Sequence, residues 1–139
     1  MTATLYGNFL VDLFNGVHDF STNTFNVILC TSSYNAQSSD HYLADVNTNE
    51  VANGNGYTTG GTTITITSVA YANNELTVQA DSPAPWTDST ITARYAIIYN
   101  YTVSGNPLVG YFDFGEDKES SNGTFELDVN SAGLINVTP

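Results

Sequence analysis

The stretch from Trp86 to Phe114 constrains the fold more than any other part of the chain. Two runs rich in β-branched and aromatic residues flank a Ser104-Gly105-Asn106-Pro107 break, a pattern that predicts one antiparallel hairpin. In the first run Ile91, Ala93, Tyr95, Ile97, Tyr99 and Tyr101 alternate onto one face, while Ala96 and Ile98 make the other face apolar over the middle. A strand buried on both sides reads this way. Folding the second run back about Ser104 to Asn106 places Tyr101 near Leu108, Ile97 near Phe112 and Tyr95 near Phe114 on a shared core face. A slip of one residue would turn that apolar set over, so the register is expected to be well specified. The same pairing sets Asp113 opposite Ala96 and diagonally next to Arg94, the only arginine, and predicts that the two meet.

The 139 residues are enough for one domain with one core, spanning 1–139. Charge is scarce and one-sided: Arg94 and Lys118 stand against 14 acidic residues, for a formal net charge of -12. Such a surface cannot neutralise phosphates, which argues against nucleic acid or an anionic membrane as a direct partner. Solubility must then come from Asn, Thr, Ser, Tyr and scattered acids, and the repeated Asn-Gly and Gly-Gly breaks suit an all-β protein. Cys30 has no second cysteine to pair with and reads as a small buried hydrophobe. Asn8 and Asp12 interrupt the early apolar residues, so neither a signal peptide nor a membrane span is expected. The expectation is a chain made in a cytoplasm that stays there or leaves by lysis.

From the beginning, Leu5, Phe9, Leu10, Leu13 and Phe14 repeat at helical spacing before Gly16, predicting a short amphipathic helix over about Leu5 to Asn15. Its apolar face is either a lid on the sheet or a contact with a neighbour. A turn cluster at Asp19 to Asn23 leads into a strand over Phe25 to Thr31, expected to be buried on both faces. Ser32 to Gly61 is polar and irregular, with Tyr42 to Val46 its one helical turn; a segment of this length is expected to be a contact arm. The glycines of Asn53 to Gly61 fall where positive φ or close backbone approach is needed. Ile64 and Ile66 then alternate with threonines, answered by Leu76, Val78 and Ala80 across a turn at Ala72-Asn73-Asn74. Trp86 is expected to cap one end of the core. A loop from Gly115 to Gly123 connects to Phe125, Leu127 and Val129, and a last strand holds Ile135 and Val137. The sum is an antiparallel β-sandwich of about seven strands with a short N-terminal helix.

No pattern in the chain carries chemistry. His18 beside Asp19 and His41 beside Asp40 match no metal-ligand spacing and no marked nucleophile, and read as two partly exposed loop histidines. Glu116, Asp117 and Glu119, with Asp113 upstream, offer the oxygens a hard cation wants, but lack the EF-hand spacing and contain Lys118; a solvated acidic turn is the plainer reading. Asn53-Gly54-Asn55-Gly56 lacks the lysine and following helix of a phosphate loop. The nine tyrosines are expected in core or interface, and Arg94 with Asp113 as a structural pair. Catalytic, cofactor-binding and metal residues are therefore all expected to be none.

An ordered series of short segments resembles a group of small structural proteins of tailed bacteriophages. It comprises Val17-His18-Asp19-Phe20, Thr24-Phe25-Asn26-Val27, Thr31-Ser32-Ser33, Asn49-Glu50-Val51, Gly54, Gly56-Tyr57-Thr58, Gly60-Gly61, Trp86, Ile91 to Tyr99 and Phe112-Asp113-Phe114-Gly115. The resemblance spans most of the chain and implies a β-rich virion component with no catalytic residues to carry over. It leads to the expectation of a non-enzymatic capsid decoration or cement protein. Its partners would be the phage major capsid protein and copies of itself, as in a trimer, with the N-terminal helix and the arm as contact surfaces. The alternatives are a tail or fibre-associated adaptor and, from another class, a carbohydrate-binding β-sandwich using Trp86 and the tyrosines.

Overall fold

The computed structural model describes residues 2–139 and is all-β, with antiparallel pairing throughout. Its strands are β1 (Thr4–Leu5), β2 (Phe25–Cys30), β3 (Thr62–Ile64), β4 (Ile66–Ala72), β5 (Glu75–Ala80), β6 (Trp86–Ser89), β7 (Thr92–Asn100), β8 (Leu108–Glu119), β9 (Gly123–Phe125) and β10 (Ile135–Val137). The helices are α1 (Gly7–Phe14) and α2 (Leu43–Val46), the latter running into a 3-10 turn over Asn47–Asn49. Ten strands replace the expected seven or so, because several are pieces of two to four residues.

The central sheet has the order β1-β8-β7-β2-β3. A three-stranded sheet, β10-β5-β4, and a two-stranded one, β6-β9, pack on one of its faces. Phe25, Val27 and Leu29 of β2, Ala96 and Ile98 of β7, and Phe112 of β8 meet Val78, Trp86, Phe125, Leu134 and Ile135 there. On the opposite face Ile28, Cys30, Ile97, Tyr99 and Leu108 pack under Tyr6, Tyr34 and Val46. β7 is thus buried on both sides, as its two apolar faces predict. The Ser32 to Gly61 segment is packed down and is not a projecting arm: Tyr34 and Val46 cover this second face and Tyr57 joins the first, each almost fully buried.

The central hairpin differs from the expected register by one residue. Tyr95 faces Asp113, Ala96 faces Phe112 and Ile97 faces Tyr111, with irregularities between Ala93 and Tyr95 and between Ile98 and Tyr99. Across the first β7 advances two residues and β8 five, and across the second β7 advances one and β8 two, so the extra residues belong to β8. Ala93 shares a face with Ala96 and Ile98, while Tyr95, Ile97 and Tyr99 share the other. Arg94 and Asp113 nevertheless meet, Nε to Oδ1 at 2.7 Å. β8 also continues through the expected loop, pairing Lys118 with Ala93 and Glu119 with Thr92.

One extended run serves two sheets. Ile64 pairs with Phe25 in the central sheet, whereas Ile66 pairs with Ala80 in the three-stranded one, so the chain changes sheets at Thr65. Just before, Gly61 at φ +74° lies against β2, where a Cβ would collide with the Val27 carbonyl. The β4–β5 turn is Asn73-Asn74 with φ of 52° and 63°, the left-handed pair that a two-residue hairpin demands.

Candidate functional site

Phe9 is the one buried residue of α1, seated edge-on against Phe20 with ring centroids 6.0 Å apart. The helix ends at Gly16, at φ +77°, whose N–H is donated to Leu13. This short helix stands beside the three-stranded sheet without closing onto it. Between them lies a groove of about 490 Å³. Leu10, Leu13 and Phe14 form one wall, Val69, Leu76, Val78, Ile135 and Val137 the other, and all ten lining side chains are apolar.

Phe14 is 87% exposed, and Leu10, Val11, Leu13, Val69 and Tyr71 are exposed as well. Scattered surface hydrophobes are normal, but a contiguous apolar patch with a concave centre is the signature of a docking surface. Neither of the chain's two bases borders it. Arg94 is held by Asp113, and Lys118 by Glu116 at 3.1 Å.

The polar residues singled out in the sequence are spent on structure. His18 is buried rather than partly exposed, 5% accessible, with its ring among Phe9, Phe20 and Phe25. Asn100 Nδ2 donates to its Nδ1 at 3.2 Å, which assigns the proton to Nε2, an atom with no partner. Desolvation lowers the pKa of His18, opposed by the nearby Asp12 carboxylate. His41 is the more exposed of the two; it pairs with Asp12 at 2.7 Å and stacks on Tyr42. Neither histidine pairs with the aspartate next to it in sequence. Asp19 instead accepts from Ser21 in its own turn, and Asp40 accepts from Tyr34 at 2.7 Å. No hydroxyl or thiol is hydrogen-bonded to either imidazole among the described residues, so neither ring is placed to activate a nucleophile.

Two tyrosine networks escaped the sequence reading. Tyr6 and Tyr34 share a hydroxyl contact of 2.9 Å that continues to Asp40. The Tyr57 hydroxyl donates to Glu50 at 2.7 Å and accepts from the Leu29 amide at 3.1 Å, taking the place of a strand partner where β3 has ended. Burial raises the pKa of all three phenols and pushes the Cys30 thiol up to about 12, so these groups stay protonated and unreactive at neutral pH.

Gly60 donates its amide to the Glu50 carboxylate at 2.8 Å, so the glycine-rich turn presents an anion where a phosphate loop would receive one. The acid run sits on the solvent-facing half of β8, where alternation sends successive side chains to opposite faces. Among the described residues no three His, Cys, Asp or Glu side chains converge as a metal set. Trp86 is only 7% exposed, packed between Tyr57 and Phe125, and offers no face to a sugar. No helix among the described residues is long and apolar enough to cross a membrane.

The apolar groove and the exposed strand β4 beside it are left uncovered by the fold. Comparison of the chain with protein-family models, with curated proteins and with solved structures gives no match.

Proposed function

We propose that this chain is a non-enzymatic structural subunit of a tailed-bacteriophage particle, bound as a decoration or cement protein to the outer shell of major capsid protein. The observation that carries this reading is the groove between α1 and the three-stranded sheet. It is wholly apolar, open, and flanked by a phenylalanine that gains nothing from its own fold. Burying one such aromatic is worth about 1.5–3 kcal/mol, modest for a single contact. On a symmetric lattice many copies make that contact side by side, so weak individual docking is enough for retention. The resemblance to phage structural proteins and the scarcity of free basic groups support the same reading.

Image reconstruction of intact particles, with copy number from quantitative mass spectrometry, tests it. On the order of hundreds of copies on the shell is the expected result, whereas about six or twelve at one vertex would move the protein to the tail. Phe14→Asp should fold normally and fail to decorate isolated shells. Full occupancy by that variant would remove the groove from the contact.

A further inference from the structure

We infer that β4 is a self-pairing edge, and that two copies of this chain join through it into one continuous six-stranded sheet about a two-fold axis at Ala70. The inference is independent of where the protein sits on a particle. β4 is the outer strand of the order β10-β5-β4 and runs for seven residues, whereas the other edge strands run for two to four. Native edges are usually blunted by lysine, proline, an inward charge or a bulge. β4 has only a bulge at its start, between Ile66 and Ser68, and nothing beyond it. All of Ser68 to Ala72 is exposed.

The pairing pattern fixes which main-chain groups are free. Ala72 and Glu75 close the two-residue turn, so Ala72, Ala70 and Ser68 bond to β5. The Leu134 amide donates to the Val78 carbonyl at 2.8 Å, so Val78 turns its groups toward β10. Val69, opposite Val78, therefore turns its own N–H and C=O outward, and so does Tyr71. Among the described residues neither Val69 nor Tyr71 makes a main-chain bond outside the β4–β5 pairing.

Charge selects the occupant. No charged residue occurs between Glu50 and Glu75, so this edge is a neutral strip on a molecule of net charge -12. A basic partner finds no carboxylate along it, while a second copy meets the least self-repulsion here.

Pairing Val69 of one copy with Tyr71 of the other, in both directions about Ala70, matches the two free donor–acceptor sets reciprocally. It also sets the two exposed apolar side chains against each other as an aromatic–β-branched cross-strand pair on the groove side. Ala70 meets Ala70 of the second copy on the other face, small against small. The arrangement is isologous and closes at a dimer.

Sedimentation equilibrium of the purified chain should report a species of twice the 14.9 kDa mass, in exchange with monomer. Ala70→Glu and Ala70→Lys each place like charges directly opposite at the axis and should weaken the dimer by at least about fivefold, whereas mixing the two variants should restore it. Ala70→Cys should form an intermolecular disulfide, since directly opposed residues of this kind have Cα atoms about 4.5 Å apart. A wild-type chain that stays at the monomer mass up to its solubility limit overturns the inference. So does a dimer that Ala70→Glu leaves intact, or association that appears only when another protein is added.

Discussion

Residues 95–112 and 51–74 both lack any charged side chain, yet they end in opposite surroundings. The first stretch holds most of β7 and the start of β8, paired on both edges and covered on both faces. The second ends in β4, paired on one edge and exposed along nearly its whole length. Absence of charge therefore marks two kinds of surface that must avoid it, a core and a contact. What separates them is the number of neighbours each strand finds within its own chain.

The difference can be tested first where it should be greatest. Ile98→Ala, at a fully buried site on β7, should cost about 2–5 kcal/mol in urea unfolding. A much smaller loss would mean that the covered sheet is loosely packed. Tyr57→Phe should cost about 1–3 kcal/mol, because it leaves the buried Leu29 amide without an acceptor and Glu50 without its phenol donor.

His18 should make stability depend on pH. Its folded pKa lies below 6.5, so the unfolded chain takes up the proton first, and stability should fall as the pH drops below about 6.5. His18→Gln should flatten that limb of a melting-temperature profile, and an unchanged slope would assign it to the carboxylates instead. The smallest effect belongs to the open strand: at concentrations where the chain is monomeric, Val69→Ala should change stability by less than about 0.5 kcal/mol. A large loss there would show that the edge belongs to the core.

Much of the covered region was legible because its signals are local. The hairpin, the two-faced burial of β2 and β7, the Asn73-Asn74 turn and the Arg94–Asp113 contact all follow from alternation and turn chemistry. The irregularities at Ala93 to Tyr95 and Ile98 to Tyr99 were not legible, since the three extra residues of β8 at the first and the one at the second leave no compositional trace and shift every later partner. The cover formed by Ser32 to Gly61 was hidden for another reason. Tyr34, Val46 and Tyr57 are single side chains more than ten positions apart, and a coil that buries isolated anchors has no period to detect.

The acids of β8 looked like a loop because the solvent half of a strand can be as polar as a turn. The groove could not be read at all. Its walls come from the two ends of the chain and its middle, brought together only by the sheet order.

The change of sheet at Thr65 gives the molecule a tie-beam. A pull applied along β4 passes through the covalent backbone into β3, whose hydrogen bonds to Phe25 and Val27 anchor it in the doubly covered sheet. Tension arriving at the exposed strand is thus passed through the covalent chain into the doubly covered sheet and is not borne by the small sheet alone.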